Sequence, residues 1–305
     1  MSIIEKALDK AIGNSLRIGV QPQAWNLPPE QVPTGSASIP VTVPTESRQD
    51  RLQKALNIDW SVLQAKGMLV PAMAHSQMAE EYRLIKRPLL INAFPDADNG
   101  LERANLILVT SSVPGEGKTF TALNLALSIA MEREKTVLLV DADVGKPSIS
   151  TLLGIGERAG LIDLLEGKAL RLPDILIRTD IPNLSILPAG GRHQHSTELL
   201  ASLTMKRLAN ELSKRYPDRI VIFDSPPLLA ATQAGVLAGL VGQVVLVIES
   251  EMTPQYIVQE AISKLELCKS VGCVLNKTKK GFGFTYYGYG YGHGYGDYGQ
   301  PKAHE

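Results

Sequence analysis

A chain of 305 residues holds one sizeable α/β domain with appendages, or two small domains. Its 31 lysines and arginines balance 31 aspartates and glutamates, and 44% hydrophobic with 20% charged residues is an ordinary globular composition. That balance excludes a nucleic-acid or acidic-lipid binder working through bulk charge, and leaves only a local basic patch for such a role.

The N-terminal Met-Ser-Ile-Ile-Glu-Lys-Ala-Leu-Asp-Lys carries charges inside its apolar run, so it is no secretory core. No uninterrupted apolar stretch reaches bilayer length, which predicts a cytoplasmic protein. Within a leading module over 1–18, residues 2–14 fit a short amphipathic helix with Ile4, Ala7, Leu8, Ala11 and Ile12 along one stripe. It would dock a partner or cover the main domain. Residues 19–46 place Pro22, Pro28, Pro29, Pro33, Pro40 and Pro44 among Gln, Ser and Thr, the composition of a flexible linker.

The main domain is expected over 47–280. Between Glu46 and Pro71 a helical segment and a turn are expected, anchored by Leu52, Leu56, Ile58, Trp60 and Leu63 and stopped by Gly67 and Pro71. A charged helix follows over about 76–90, with Glu80, Glu81, Arg83, Lys86 and Arg87. From spacing alone, these charges read as a solvated face with i,i+3 and i,i+4 pairs.

Over 104–276 strand-like runs alternate with helical stretches. Strands are expected at Leu106 to Thr110, Thr136 to Asp141, Leu184 to Pro188, Ile220 to Asp224, Gln243 to Ile248 and Gly272 to Leu275. Helices fit at Lys118 to Glu132, Ser196 to Tyr216, Thr232 to Leu240 and Pro254 to Leu267. Continuous apolar strands separated by helices imply an α/β fold, a mostly parallel sheet covered on both faces, with ligands at the carboxyl ends of the strands. Cys268 and Cys273 have no partners at metal spacing and are expected to be buried free thiols.

From 281 to 305 the composition turns to glycine and tyrosine, with Tyr286, Tyr287, Tyr289, Tyr291, Tyr295 and Tyr298. High glycine content predicts a disordered tail.

Chemistry enters at the first strand-to-helix turn, Pro114-Gly115-Glu116-Gly117-Lys118-Thr119, which has the layout of a phosphate-binding loop. Small residues let backbone N–H groups converge on phosphate oxygens, and a helix N-terminus points at the same spot. Ser112 stands where the general pattern has glycine. Ser112, Pro114, Gly115, Glu116, Gly117, Lys118, Thr119 and Phe120 are the candidate nucleotide-binding residues. Lys118 would reach the terminal phosphates of a bound nucleotide, and Thr119 would ligate Mg²⁺. Two other strands end in acids, Asp141 with Asp143 just beyond it, and Asp224. A lone aspartate there can be a helix cap or turn residue, but two such ends beside a phosphate loop supply the hard oxygens Mg²⁺ requires.

The loop, the Leu-Leu-Val-Asp-Ala-Asp and Ile-Phe-Asp-Ser-Pro-Pro segments and the tyrosine cluster together resemble the bacterial tyrosine kinases of capsule and exopolysaccharide loci. The lead-in Ile58-Asp-Trp and Gly67-Met-Leu-Val-Pro is similar to the exosortase-associated members. The resemblance covers about 74–298. It implies a P-loop NTPase fold of the ParA/MinD type, ATP and Mg²⁺ as cofactors, and autophosphorylation of the tyrosine tail, from one subunit to its neighbour in a ring.

In that reading Asp141 is the base, while Asp143 and Asp224 hold the metal with Thr119; the roles of Asp141 and Asp143 can be exchanged. Asn276 meets the adenine edge or is a plain loop amide. Glu80, Arg83, Lys86 and Arg87 stand at the family's oligomerisation helix, with Lys86 in place of an arginine. Lys146 stands near a position where the family often carries arginine. The implied partners are a membrane-bound activator of the chain-length-determinant (Wzz-like) class, which would hold the protein at the inner membrane, and a tyrosine phosphatase. A ParA/MinD-type ATPase switch is the alternative, though the tail has no role in it.

Overall fold

The computed structural model describes residues 55–95, 100–216 and 218–279. The expected helix at 2–14, the linker, Leu52 and the six tail tyrosines lie outside them. The described chain opens with α1 (Trp60–Ala65), a 3-10 turn (Pro71–Met73) and α2 (Gln77–Ala93). It continues through β1 (Leu106–Ser111), α3 (Lys118–Ala130), β2 (Thr136–Asp141), α4 (Ser148–Leu152), α5 (Leu161–Leu165), α6 (Leu172–Ile175), β3 (Ile177–Arg178) and β4 (Leu184–Leu187). Then come α7 (Ser196–Leu200), α8 (Leu203–Lys214), β5 (Arg219–Asp224), α9 (Thr232–Ala238), β6 (Gln243–Glu249), α10 (Gln255–Ser263) and β7 (Val271–Asn276).

The strands form one seven-stranded sheet in the order β3-β4-β2-β5-β1-β6-β7, parallel except for the antiparallel β3–β4 pair. Each central strand alternates its side chains between two faces, as the period of two requires. Leu106, Leu108, Leu138, Val140, Val221 and Phe223 enter one core, with residues of α8 and α9. Ile107, Val109, Val137, Leu139, Ile220 and Ile222 enter the other, with α3 and α2. Every residue of α3 from Thr121 to Ala130 is buried, which explains its nearly continuous apolar sequence.

Several expectations change. The single helix expected over Ser196 to Tyr216 is two, because Ser202 is extended (φ −70°, ψ 161°) and its Oγ accepts from Met205 N at 3.2 Å, capping α8. Of the helical segment expected between Glu46 and Pro71, the described part forms only the six residues of α1, capped by Asp59. The helix α2 passes Leu90 and runs to Ala93, with Pro88 inside it. The thiols are not both buried: Cys268 is half-buried with Sγ 3.0 Å from the Ala238 carbonyl, and Cys273 is exposed. The reason is position, since β7 is the sheet edge. Burial pushes the Cys268 thiol up to about 11. Among the described residues no helix is long and apolar enough to cross a membrane.

Gln243, fully buried at the start of β6, ties α2 to the sheet. Its Nε2 donates to the carbonyls of Leu89 (3.0 Å) and Ala104 (2.6 Å), and its Oε1 accepts from Asn92 Nδ2 at 2.9 Å. Gln243→Ala should lower stability by about 3 kcal/mol, since it removes three buried hydrogen bonds between α2, the lead-in to β1 and β6. Urea denaturation followed by circular dichroism checks this; an unchanged midpoint would mean α2 is held by apolar packing alone.

Candidate active site

The parallel register decides which residues meet. Asp141 and Asp224 are direct neighbours at the ends of β2 and β5, and β1 lies on the other side of β5, so the loop after β1 opens beside both acids. In that loop Gly115 and Gly117 have φ of +96° and +99°, conformations that side chains disfavour. Gly117 also caps α3 without a side-chain hydrogen bond, so the N–H groups of the first turn are left for an anion.

Lys118 points its Nζ into the acidic cluster, 2.6 Å from Asp143 Oδ2, 3.4 Å from Thr119 Oγ1 and 3.9 Å from Asp224 Oδ1. Asp143 Oδ1 also accepts from Lys146 N at 3.2 Å, while the Lys146 residue is itself exposed. Asp141 is fully buried and its Oδ2 accepts from Ser150 N (2.8 Å) and Ser150 Oγ (2.7 Å). Among the described residues, Asp141 Oδ1 and both oxygens of Asp224 have no hydrogen-bond partner.

Burial pushes the Asp141 carboxyl up to about 6; the Ser150 hydrogen bonds oppose the rise and the Asp143 charge adds to it. Burial raises Asp224 to about 7, with the Lys118 charge and the nearby Thr119 hydroxyl opposing and the charges of Asp141 and Asp143 adding; the hydroxyl lies close to the carboxylate without completing a well-formed hydrogen bond. Three carboxylate oxygens without a hydrogen-bond donor, beside a phosphate loop and the Thr119 hydroxyl, suit a divalent cation. All of these donors are hard oxygens, a set that fits Mg²⁺, which needs few protein ligands because it keeps several waters.

Other candidate residues take distinct places. The Glu116 side chain is buried, while its backbone carbonyl accepts from Asn276 Nδ2 at 2.8 Å. Phe120 is partly buried against the core that holds α3. Ser112 Oγ is buried without a partner among the described residues. On α2, Glu80 pairs with Arg83, Arg83 also donates to the Ala74 carbonyl, and Arg87 is exposed. Lys86 is not on that outer face. It is buried, with Nζ 2.8 Å from the Ser128 carbonyl and 2.6 Å from Glu132 Oε1, so it binds the C-terminal end of α3 in its own chain. Reading the sequence missed Ser150, which pins Asp141 from nine residues away; a serine near the start of a short helix gives no such signal.

A phosphate loop opening beside three strand-end acids at the carboxyl edge of a parallel sheet defines a P-loop nucleotide-binding domain. The family described as "AAA domain" matches residues 104–275. The chain is 35% identical over 203 residues to the tyrosine-protein kinase YwqD of Bacillus subtilis (strain 168), covering 66% of this chain and 81% of that protein. It is 30% identical over 218 residues to the putative tyrosine-protein kinase CapB of Staphylococcus aureus, covering 70% and 91%. Among solved structures, the kinase domain of the Escherichia coli tyrosine kinase ETK superposes with a TM-score of 0.61 at 27% identity, covering 73% of this chain and 86% of that one. The chain belongs to the bacterial tyrosine kinases of exopolysaccharide loci.

Proposed function

We propose that this chain transfers the terminal phosphoryl group of ATP to the hydroxyls of its own C-terminal tyrosines, Tyr286, Tyr287, Tyr289, Tyr291, Tyr295 and Tyr298, and so regulates exopolysaccharide polymerisation or export. The observation that carries the reading is the buried cluster of Asp141, Asp143 and Asp224 around Lys118 at the mouth of the phosphate loop. Kinase names among the relatives support the same reaction class.

In this mechanism the loop from Ser112 to Gly117 and the first turn of α3, through Phe120, cradle the phosphates. Lys118 exchanges Asp143 for the transferred group, whose charge it neutralises. Thr119, Asp143 and Asp224 would hold Mg²⁺, which when bound would offset the negative charge of the phosphates. A tyrosine hydroxyl, with a pKa of about 10, needs a base. Asp141 takes the proton as the new P–O bond forms and the bond to the leaving ADP oxygen breaks. One Asp141 oxygen is unpartnered and its carboxyl is raised to about 6, whereas both Asp143 oxygens are engaged. That contrast favours Asp141 over Asp143 as the base. Asn276 spends one amide hydrogen on Glu116 and keeps its other hydrogen and its oxygen for an adenine edge.

The tail follows β7 in the chain, and transfer runs between subunits of a ring assembled through α2, with Glu80, Arg83 and Arg87 outward and Lys86 bracing the helix. A membrane-bound activator of the chain-length-determinant class holds the protein at the inner membrane, and a tyrosine phosphatase resets the tail. Each phosphate adds nearly two negative charges, so multiple phosphates on one tail repel one another and loosen the ring.

The test is incubation with ATP and Mg²⁺, with and without a candidate activator, then mass spectrometry of the peptide from Gly281 to Glu305. Phosphotyrosine in the normal chain and none in Lys118→Met supports the kinase. An unmodified tail with ATP still hydrolysed assigns the chain to ATPase switching. Mixing Lys118→Met with a chain truncated after residue 280 separates the routes: phosphate on the inactive chain's tail means transfer between subunits, and its absence overturns that step.

A further inference from the structure

Glu116 stands inside a loop built to hold phosphate, where a carboxylate opposes anion binding. Its side chain is only 1% exposed and is directed to the end of β6. Oε2 accepts from Val113 N at 2.8 Å, and Oε1 accepts from the Thr253 hydroxyl at 2.5 Å and from Glu249 N at 3.3 Å. Three donors drawn from two segments offset the charge and tie the loop to the strand beside it.

The backbone of the same residue reaches the next strand. Its carbonyl accepts from Asn276 Nδ2 at 2.8 Å, and a Cβ on neighbouring Gly117 would lie 2.0 Å from that nitrogen. Asn276 ends β7 in register with Glu249, and its own carbonyl accepts from Ser250 N at 2.9 Å. Lys277 Nζ then reaches Glu249 Oε2 at 2.9 Å. Residues 276 and 277 are the root of the segment that leads into the tyrosine tail.

We propose that Glu116 is a positioning residue that fixes the root of the tail to the phosphate loop. Its carboxylate holds the end of β6 and Thr253, and its carbonyl holds the end of β7 through Asn276. The inference rests on the tail being the phosphoacceptor. Because transfer runs between subunits, the strut fixes the geometry between the phosphate loop that receives one neighbour's tail and the root from which the subunit's own tail leaves for another. Its loss loosens the presentation of the acceptor around the ring, and positioning of this kind acts on the rate at saturation more than on nucleotide affinity.

The experiment measures tail phosphorylation by the full chain at varied Mg-ATP for Thr253→Val, Thr253→Ser and Glu116→Gln. Glutamine keeps one acceptor but turns an NH₂ group toward a donor; if that variant does not fold, Thr253→Val carries the test. The expected result is a rate at saturating ATP about ten-fold lower for Thr253→Val, with KM for ATP within about three-fold and a normal rate restored by Thr253→Ser. A higher KM with an unchanged saturated rate would overturn the proposal and leave Glu116 as a brace of the phosphate cradle alone. An unchanged rate and KM would overturn it too. No tail phosphate in the normal chain would overturn the autokinase reading, a result distinct from normal phosphorylation in Thr253→Val.

Discussion

Lys118→Met should abolish tail phosphorylation, with a fall of at least ~10³-fold, because in the proposed mechanism it removes the cation that meets the transferred phosphoryl group. The structure adds a second effect. Without nucleotide, Lys118 is the counter-charge of a buried cluster, 2.6 Å from Asp143 and 3.9 Å from Asp224. Methionine keeps the length of the side chain but leaves these carboxylates facing one another, so the nucleotide-free variant should lose about 1–3 kcal/mol at pH 8. Mass spectrometry reads the first effect and urea denaturation the second. Lys118→Arg should fail almost as badly, since the planar guanidinium is broader than an ammonium held by three neighbours. Phosphotyrosine on the tail of purified Lys118→Met would remove this site from the reaction.

The nucleotide-free and metal-free protein should lose stability as the pH rises from 5 to 8. Asp141 and Asp224 have folded pKa values raised from 3.8 to about 6 and about 7 by burial, so the folded chain binds their protons more tightly than the unfolded chain. Their contribution is complete below the unfolded value and is lost as pH climbs through about 6 and then about 7. At about 1.4 kcal/mol per pKa unit, Asp224 accounts for on the order of 4 kcal/mol and Asp141 for less. The lowered carboxyls, Asp59, Asp163 and Asp174, act in the opposite sense and only at more acid pH, outside this window. Asp224→Asn should flatten the profile and raise stability at pH 8 while removing Mg-ATP turnover. Binding of Mg-nucleotide should strengthen across the same interval, because the ion needs ionised carboxylates. Thermal melts at fixed ionic strength decide it: a flat profile for the normal chain over pH 5 to 8 would mean these acids are solvated enough to ionise normally.

The sequence by itself determined the sheet and the phosphate loop. Six strands, four helical stretches (one of which the structure splits in two) and the glycine turn before Lys118 are local signals, carried by apolar runs of four to seven residues and by φ values that glycine supplies. The strand β3 escaped because two residues are too few to show a period, and the break at Ser202 escaped because a capping serine inside an amphipathic pattern leaves the apolar stripe intact.

What only the tertiary structure decided were the partners. The pairing of Asp141 with Asp224 depends on the register of strands 83 residues apart in the chain. Ser150 on Asp141, the inward turn of Lys86 onto α3 and the Glu116 strut to Thr253 each join groups that no local period relates. A carboxylate or an ammonium reads the same in a sequence whether it meets water, a counter-charge or a backbone donor. Burial and the donors within reach decide its charge and its role, and both are set only when distant segments pack together.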